Sequence, residues 1–499
     1  MRAPVKQRLG KVFTAALWAA AFGATAAEEH PALLPGLTLV PYDPGVFRAD
    51  PSYTNATYSA EAQLKIYGDK RHVPTMRPLI ELGRDLYREG PFEPGVNLLG
   101  KKNLVFANLL ASGDWRTAVA YNDTGESEVG AVATRLNLDL DLRITATERV
   151  HAFFRPLDRD GRFTRYEFGP DGGDAEFLAD ADPEAVFFEG DLGAITSGLS
   201  GRNATFDLPF TFGLIPLFFQ NGIWLEDAFT GFAFSIPARN SRVLDLANFD
   251  ITFFGGFDRL SSPAFDVPGG ARASDARVFG FATFVDAFQG YIEAGYAYVD
   301  GSEALSDVDY HNFSVAYTRR WFDRVSNSMR VIVNAGQDRD GAETANGALF
   351  LLESSLVTRL PYTFVPYGNV FVGVDRPQSV ARDPGAGGIL KNVGILFETD
   401  GLTGYPTLDA SGADVWGAAL GVEYLFNLDQ QLVFEAAALQ IIGDENELGR
   451  PARGNEYGVG VRYQRPLNHW LILRGDAMYG WREADEEIAG VRVELRVKF

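Results

Sequence analysis

Cysteine is absent from all 499 residues. That excludes disulfides, thiolate metal sites and a lipid anchor on an N-terminal cysteine. Histidine is scarce, with only His30, His72, His151, His311 and His469. A nucleophile needs a base within hydrogen-bond reach, and no serine motif accompanies any of the five. His311 and Ser314 stand three apart, which on a strand sends their side chains to opposite faces. No catalytic residue, cofactor or metal site is therefore expected. Lysine is also rare, eight against a total of 45 basic residues, so most positive charge is guanidinium, suited to bidentate binding of carboxylates. Long apolar runs are missing too. Val12 to Gly23 falls short of the roughly 20 residues of a spanning helix, and later stretches are broken by charge, Gly or Pro.

The start of the chain has the form of a cleaved secretory signal over residues 1–26. Arg2, Lys6, Arg8 and Lys11 precede the short apolar stretch, and Ala24-Thr25-Ala26 supplies small residues for cleavage. Its removal leaves 41 basic residues against 66 acidic ones, a charge of −25. Such a balance argues against nucleic acid as a partner. Residues 27–100 form a second region, rich in Pro and without alternation, expected to be a periplasmic or lumen-filling segment. Within it Thr75 to Arg88 carries leucines near helical spacing and predicts one short helix.

From about residue 101 to 499 the pattern is strand, turn, strand. Leu136, Leu138, Leu140, Leu142 and Ile144 alternate with Arg135, Asn137, Asp139, Asp141 and Arg143. A ribbon with one apolar and one charged face suits a wall between oil and water. Thr147 to Pro156 continues it as a hairpin. Further strands are expected at Asp250–Phe257, Arg277–Ala287, Gly290–Val299, Tyr310–Trp321, Ser328–Gly336, Ala348–Leu356, Phe364–Val374, Asn392–Phe397, Val415–Phe426, Gln431–Ile441, Glu456–Gln464 and Trp470–Tyr479. Very short turns alternate with long polar loops, such as Arg376 to Leu390 and Gly443 to Gly454. At about 22 to 25 residues per strand and connection, the region holds about 16 to 18 strands, wide enough to enclose an aqueous channel. The expected fold is all-β: a transmembrane antiparallel β-barrel with an irregular N-terminal extension.

The final twelve residues, IAGVRVELRVKF, place Val491, Val493, Leu495, Val497 and Phe499 on one face and Arg492, Glu494, Arg496 and Lys498 on the other. This resembles the closing strand of Gram-negative outer-membrane β-barrels, and the resemblance implies that the barrel-assembly machinery recognises Phe499. The whole pattern is similar to that of substrate-specific porins and alginate-export barrels. The acidic total and mixed-sign interior depart from the strongly basic lumen of the latter. The resemblance implies an outer-membrane location in a Gram-negative bacterium, contact with lipid and lipopolysaccharide, and passage of a small solute. A homo-oligomer and a periplasmic partner for residues 27–100 are further expectations.

Lumen-lining positions are expected at Arg135, Asp139, Asp141, Arg143, Arg149 and Arg155, and at Glu423, Glu435, Arg462, Arg474, Asp476, Arg492, Glu494 and Arg496. The two groups become neighbours once the barrel closes. A field of acids facing bases orients a polar solute. Asp207 to Asp227 is too apolar for an external loop. It is either a loop folded inward, with Phe210, Phe212, Phe218, Phe219 and Trp224 as a constriction, or two lipid-facing strands joined by a turn. Asp158, Asp160, Gly161 and Glu167 match part of a calcium loop, but Pro156 stands at its first ligand place. The acidic loop Asp171 to Glu184 is a solvated external loop that could hold divalent cations loosely. Two functions fit these features: passive passage of small polar or charged solutes, or an exit barrel for a polysaccharide whose residues 27–100 bind a periplasmic partner.

Overall fold

The structure, a computed structural model, describes residues 76–84, 86, 94–159, 161–169, 172–241, 243–244, 246–265, 273, 275–339, 343–356, 363–399, 401–426, 430–443 and 451–499. The expected signal segment, residues 27–75 and Asp160 lie outside the described residues. The strands begin with β1 (Ile80–Gly83), β2 (Asn108–Asp123), β3 (Glu128–Arg143), β4 (Arg149–Phe154), β5 (Asp158–Arg159), β6 (Arg162–Gly169), β7 (Gly172–Glu176) and β8 (Pro183–Asp191). A helix, α1 (Leu192–Ser200), leads to β9 (Pro209–Phe219), β10 (Leu225–Ser241), β11 (Leu246–Asp258), β12 (Ala276–Ala287) and β13 (Gly290–Gly301). The wall continues through β14 (Tyr310–Trp321), β15 (Val325–Ala335), β16 (Gly347–Leu356) and β17 (Thr363–Asp375). Beyond a long connection holding β18 (Ala381–Arg382) come β19 (Val415–Phe426), β20 (Gln430–Ile441), β21 (Glu456–Pro466), β22 (Leu471–Arg482) and β23 (Ile488–Lys498).

Each wall strand pairs antiparallel with its neighbours, and β2 pairs with β23 from Asp114↔Lys498 to Asp123↔Ala489. The result is a closed antiparallel barrel of 18 strands. Closure pairs the first wall strand with the last, so the wall ladder satisfies its backbone groups largely without water. The alternation seen in the sequence fixes the faces. Val491, Val493 and Leu495 are about half exposed on the outside, while Arg492 and Glu494 are buried inside. Trp115, Val119, Phe279, Phe313, Trp416, Leu420 and Phe434 continue the same outer apolar surface. Such a contiguous surface belongs against hydrocarbon, not water.

The two rims differ as expected. At one rim most connections are short; Ala287 and Gly290 are joined by Phe288 and Gln289 at φ 55° and 60°, the tight hairpin that the right-handed strand twist favours, and the exception is the β8–β9 connection that holds α1. At the other rim the longest connection runs from Arg376 to Asp414. Both the start of β2 and the end of β23 lie at the short-turn rim.

Four expectations are corrected. The barrel's first strand is β2, which lies between β3 and β23, so the two groups of expected lumen residues are separated by one strand when the barrel closes. Residues 80–83 are not helical: they pair with Asn108–Ala111, taking up the β2 edge just beyond the end of β23. Backbone groups on an open edge are costly, and a short extended piece covers them where a helix could not. Asn392–Phe397 is a series of turns inside the barrel instead of a wall strand, with Leu396 and Phe397 buried. Its apolar run serves a packed interior, a use that the pattern alone cannot separate from a strand. The long loop accordingly extends well past Leu390.

The largest part of the interior packing lies on one side. Residues of the long connection, among them Val380, Leu390, Val393 and Phe397, bury themselves with inward side chains such as Val278, Ile332, Leu349 and Phe371. This core occupies the half of the lumen facing β10 to β20. Open space is left beside β22, β23, β2, β3, β4 and β8, and nearer the short-turn rim also beside β9, β10 and β11.

Candidate pore constriction

The constriction is built by two chain segments that enter the barrel. The first is the tip of the β9–β10 hairpin. β9 pairs with β8 only as far as Leu214, and β10 regains β11 only at Thr230, so Ile215 to Phe229 leaves the wall on both edges. Gly213 and Gly231 face each other at the bend. Gly213 has φ 126°, and a Cβ on Gly231 would lie 2.1 Å from the Gly255 carbonyl oxygen, so both positions require glycine. Pro216, beyond the bend, has no N–H to leave unpaired.

The underside of the tip packs across the inner wall. Ile215, Ile223, Trp224, Leu225 and Phe229 are all buried to within 1 %. Trp224 Nε1 donates to Asn312 Oδ1 at 2.7 Å, and its ring covers Gly295, where a Cβ would clash at 2.3 Å. Gln220 Oε1 accepts from Ser314 Oγ at 2.6 Å and Arg330 Nε at 3.2 Å.

The second segment is the Arg376–Asp414 loop. Ser379 Oγ and Arg382 Nη2 donate to the carbonyls of Ile223 and Gly222 at 2.7 and 2.6 Å, locking loop and tip together. Glu226 on the tip pairs with Lys391 and lies 3.8 Å from Arg382. Burial pulls the Lys391 ammonium below its ordinary value and Arg382 down to about 10, with Glu226 opposing both shifts. On the other flank Glu435 of β20 accepts the Ile395 and Leu396 N–H groups, each at 2.9 Å, and the Tyr367 hydroxyl.

Between this insert and the opposite wall lies a cleft of about 440 Å³. Arg116, Arg135, Arg155, Arg474 and Arg496 line its wall side together with Glu184; Glu226, Asp227, Asp383, Glu398 and Lys391 line the insert side, with Pro216 and Phe218. A guanidinium wall thus faces a mainly carboxylate insert. Such an arrangement produces a transverse field across any solute in the cleft.

Behind the cleft the charges are committed to one another. Asp476 accepts from Arg462 Nε at 2.7 Å, Arg474 Nε at 2.9 Å and Arg492 Nη2 at 2.7 Å. Glu494 pairs bidentately with Arg116, at 2.6 and 3.0 Å. Glu398, reaching from the loop, lies 2.7 Å from Arg462 and 3.6 Å from Arg474. Burial alone would raise the Glu398 carboxyl, but those two guanidinium groups hold it below the ordinary glutamate value.

The residues singled out from the sequence divide by height and side. Arg135, Arg155, Arg474 and Arg496 meet in the cleft, and Arg462, Asp476, Arg492 and Glu494 form the network behind it. Asp139, Asp141, Arg143 and Arg149 lie nearer the short-turn rim, where Arg143 Nε donates to Asp141 at 2.8 Å and Arg149 pairs with Glu189. Glu423 and Glu435 belong to the packed side of the barrel; Glu423 accepts from Gln431 Nε2.

The five aromatics of 207–227 do not act together. Phe212 is exposed on the outer face and stacks with Phe210, both lying against Phe188, while Phe210 also borders the space nearer the short-turn rim; Phe219 and Trp224 are packed beneath the tip, and Phe218 alone, 60 % exposed, borders the cleft. The stretch is therefore both wall strand and inserted tip. Asp158 is buried beside the Arg135 side of the lumen, on a short excursion between β4 and β6, and no metal-holding group of three His, Asp or Glu residues exists among the described residues. Arg116, Glu398, Lys391 and Glu226 were not anticipated. For Arg116 the signal was present: Trp115, Thr117, Val119 and Tyr121 alternate around it.

The barrel matches solved structures at low identity. The structure of Pseudomonas aeruginosa OccK2 (OpdF) in complex with glucuronate is 11 % identical and aligns over 78 % of this chain and 98 % of that one, at a TM-score of 0.50. The fold is that of the outer-membrane porins. Pseudomonas aeruginosa OccK5 (OpdH), 10 % identical, covers 78 % and 98 % at 0.49. Acinetobacter baumannii OccAB4, 9 % identical, covers 78 % and 97 % at 0.47. No family model matches the chain, and no curated protein matches it.

Proposed function

We propose that this protein is a passive outer-membrane channel for small polar or charged solutes. The carrying observation is the off-centre cleft, in which five arginines face a carboxylate-bearing insert that is itself anchored on a packed core. The outer apolar surface supports placement in a bilayer, with the short-turn rim and both ends of the wall on the periplasmic side. A solute with separated positive and negative groups would align in the transverse field, so dipolar solutes should pass more readily than neutral ones of equal size. Residues 27–75 are assigned no part in conduction, and Phe499, whose backbone pairs with Gly113 at 2.8 and 3.0 Å, is proposed as the assembly signal.

The test is conductance of the refolded chain in a planar bilayer under a salt gradient. Discrete steps, slowed by dipolar solutes more than by neutral ones, are the expected result. Folded, heat-modifiable protein that never conducts would sink the channel reading and point instead to export or docking.

A further inference from the structure

Two cavities lie one above the other in the barrel. The upper is the charged cleft. The lower, about 780 Å³, reaches the short-turn rim and is lined by Arg149, Glu189, Ser197, Thr211, Ser235 and Thr252. The levels are set by the wall strands: at and just beyond β4, Arg155 lies in the upper space and Arg149 in the lower; on β8 the same holds for Glu184 and Glu189. Among the described residues one side chain lines both cavities, Leu217 on the inserted tip.

Several contacts hold Leu217 in place. Across the hairpin it pairs with Asp227, whose carboxylate accepts the Ser261 and Ala228 N–H groups at 2.8 and 2.9 Å. Its neighbour Ile215 is 1 % exposed in the core. An apolar side chain thus stands between two polar compartments on an anchored backbone. At such a step a hydrated solute loses water contacts without receiving polar ones in return, so the step discriminates by size and hydration.

We propose that Leu217 is the residue that sets the size limit of the passage, separately from the charges that orient the solute. This rests on the channel reading. Because the chain has no cysteine, Leu217→Cys introduces a single thiol that can be modified after folding. In a planar bilayer, a methanethiosulfonate reagent added from either side should produce a stepwise loss of conductance, with Phe313→Cys, on the outer face, unaffected. Leu217→Ala should admit larger sugars than the parent in liposome swelling. If the parent does not conduct, the channel reading fails and this inference with it. If the parent conducts, a Leu217→Cys channel whose current is unchanged after labelling confirmed by mass, or one that cannot be labelled, overturns the role of Leu217 alone. An unchanged size limit in Leu217→Ala does the same.

Discussion

Arg116 and Glu494 face each other across the seam that closes the barrel, joined by bonds of 2.6 and 3.0 Å with the Glu494 side chain only 1 % exposed. They belong to β2 and β23, the first and last strands of the wall, so the pair couples the chain's ends through side chains as the ladder does through backbone. Leaving a buried charge without its partner costs about 3–5 kcal/mol. Arg496, 3.4 Å from Glu494, offsets part of this. Arg116→Ala is therefore expected to lower stability by about 3 kcal/mol, and Arg116→Ala with Glu494→Ala together by less. Urea titration of the heat-modifiable form measures both; equal losses would show that the pair does not matter to closure.

The loop's attachment should depend on pH through Glu398. Its carboxyl lies below the ordinary value in the folded chain. A depressed acid stabilises above its unfolded value of about 4.3, and that contribution is lost as pH falls through the lower folded value. Acidification below about pH 4 should loosen the loop and increase open-channel current fluctuations. Glu398→Gln should show those fluctuations at neutral pH and little further change on acidification. A quiet Glu398→Gln channel would assign loop docking to Glu435 and the packed core instead.

The wall was legible because each of its strands separates an apolar exterior from a polar or packed interior. Tyr310–Trp321 and Val415–Phe426 were read to the residue, since period-two alternation persists to both ends. The inserted parts were not, because burial inside the lumen selects apolar side chains without imposing alternation. Asn392–Phe397 looked like a strand for that reason. In Asp207–Asp227 composition alone cannot tell where the ladder stops; the markers were Gly213 and Pro216, the one required by the bend and the other tolerant of leaving the sheet. β2 was passed over since its inward positions include Ala118 and Ala120, which give little contrast. Glu398 and Lys391 lie on a loop whose course depends on contacts far away in sequence, and no local pattern marks them.

Trp224 should decide whether the tip stays seated. Replacing a fully buried Trp by Ala costs about 3–5 kcal/mol, here charged to docking of the tip and not to the wall, because Ile215–Phe229 makes no ladder with β8 or β11. Trp224→Ala should retain heat-modifiable barrel structure while conducting with larger, noisier steps. Loss of the barrel itself would mean that the insert is needed for assembly.

The sign of ion selectivity should follow Asp476. Its carboxylate bonds to Arg462, Arg474 and Arg492 at 2.7 to 2.9 Å, and Arg474 also lines the cleft. Asp476→Asn removes one negative charge from among three guanidinium groups. The reversal potential under a salt gradient should move toward the anion side, and the double change Arg135→Gln with Arg496→Gln should move it toward the cation side. Both shifts should shrink in high salt, since charges bordering an aqueous space are screened beyond about 8–10 Å at physiological ionic strength. Parallel shifts in the two variants, or none, would place the selectivity-setting charges in the rim loops and not beside the cleft.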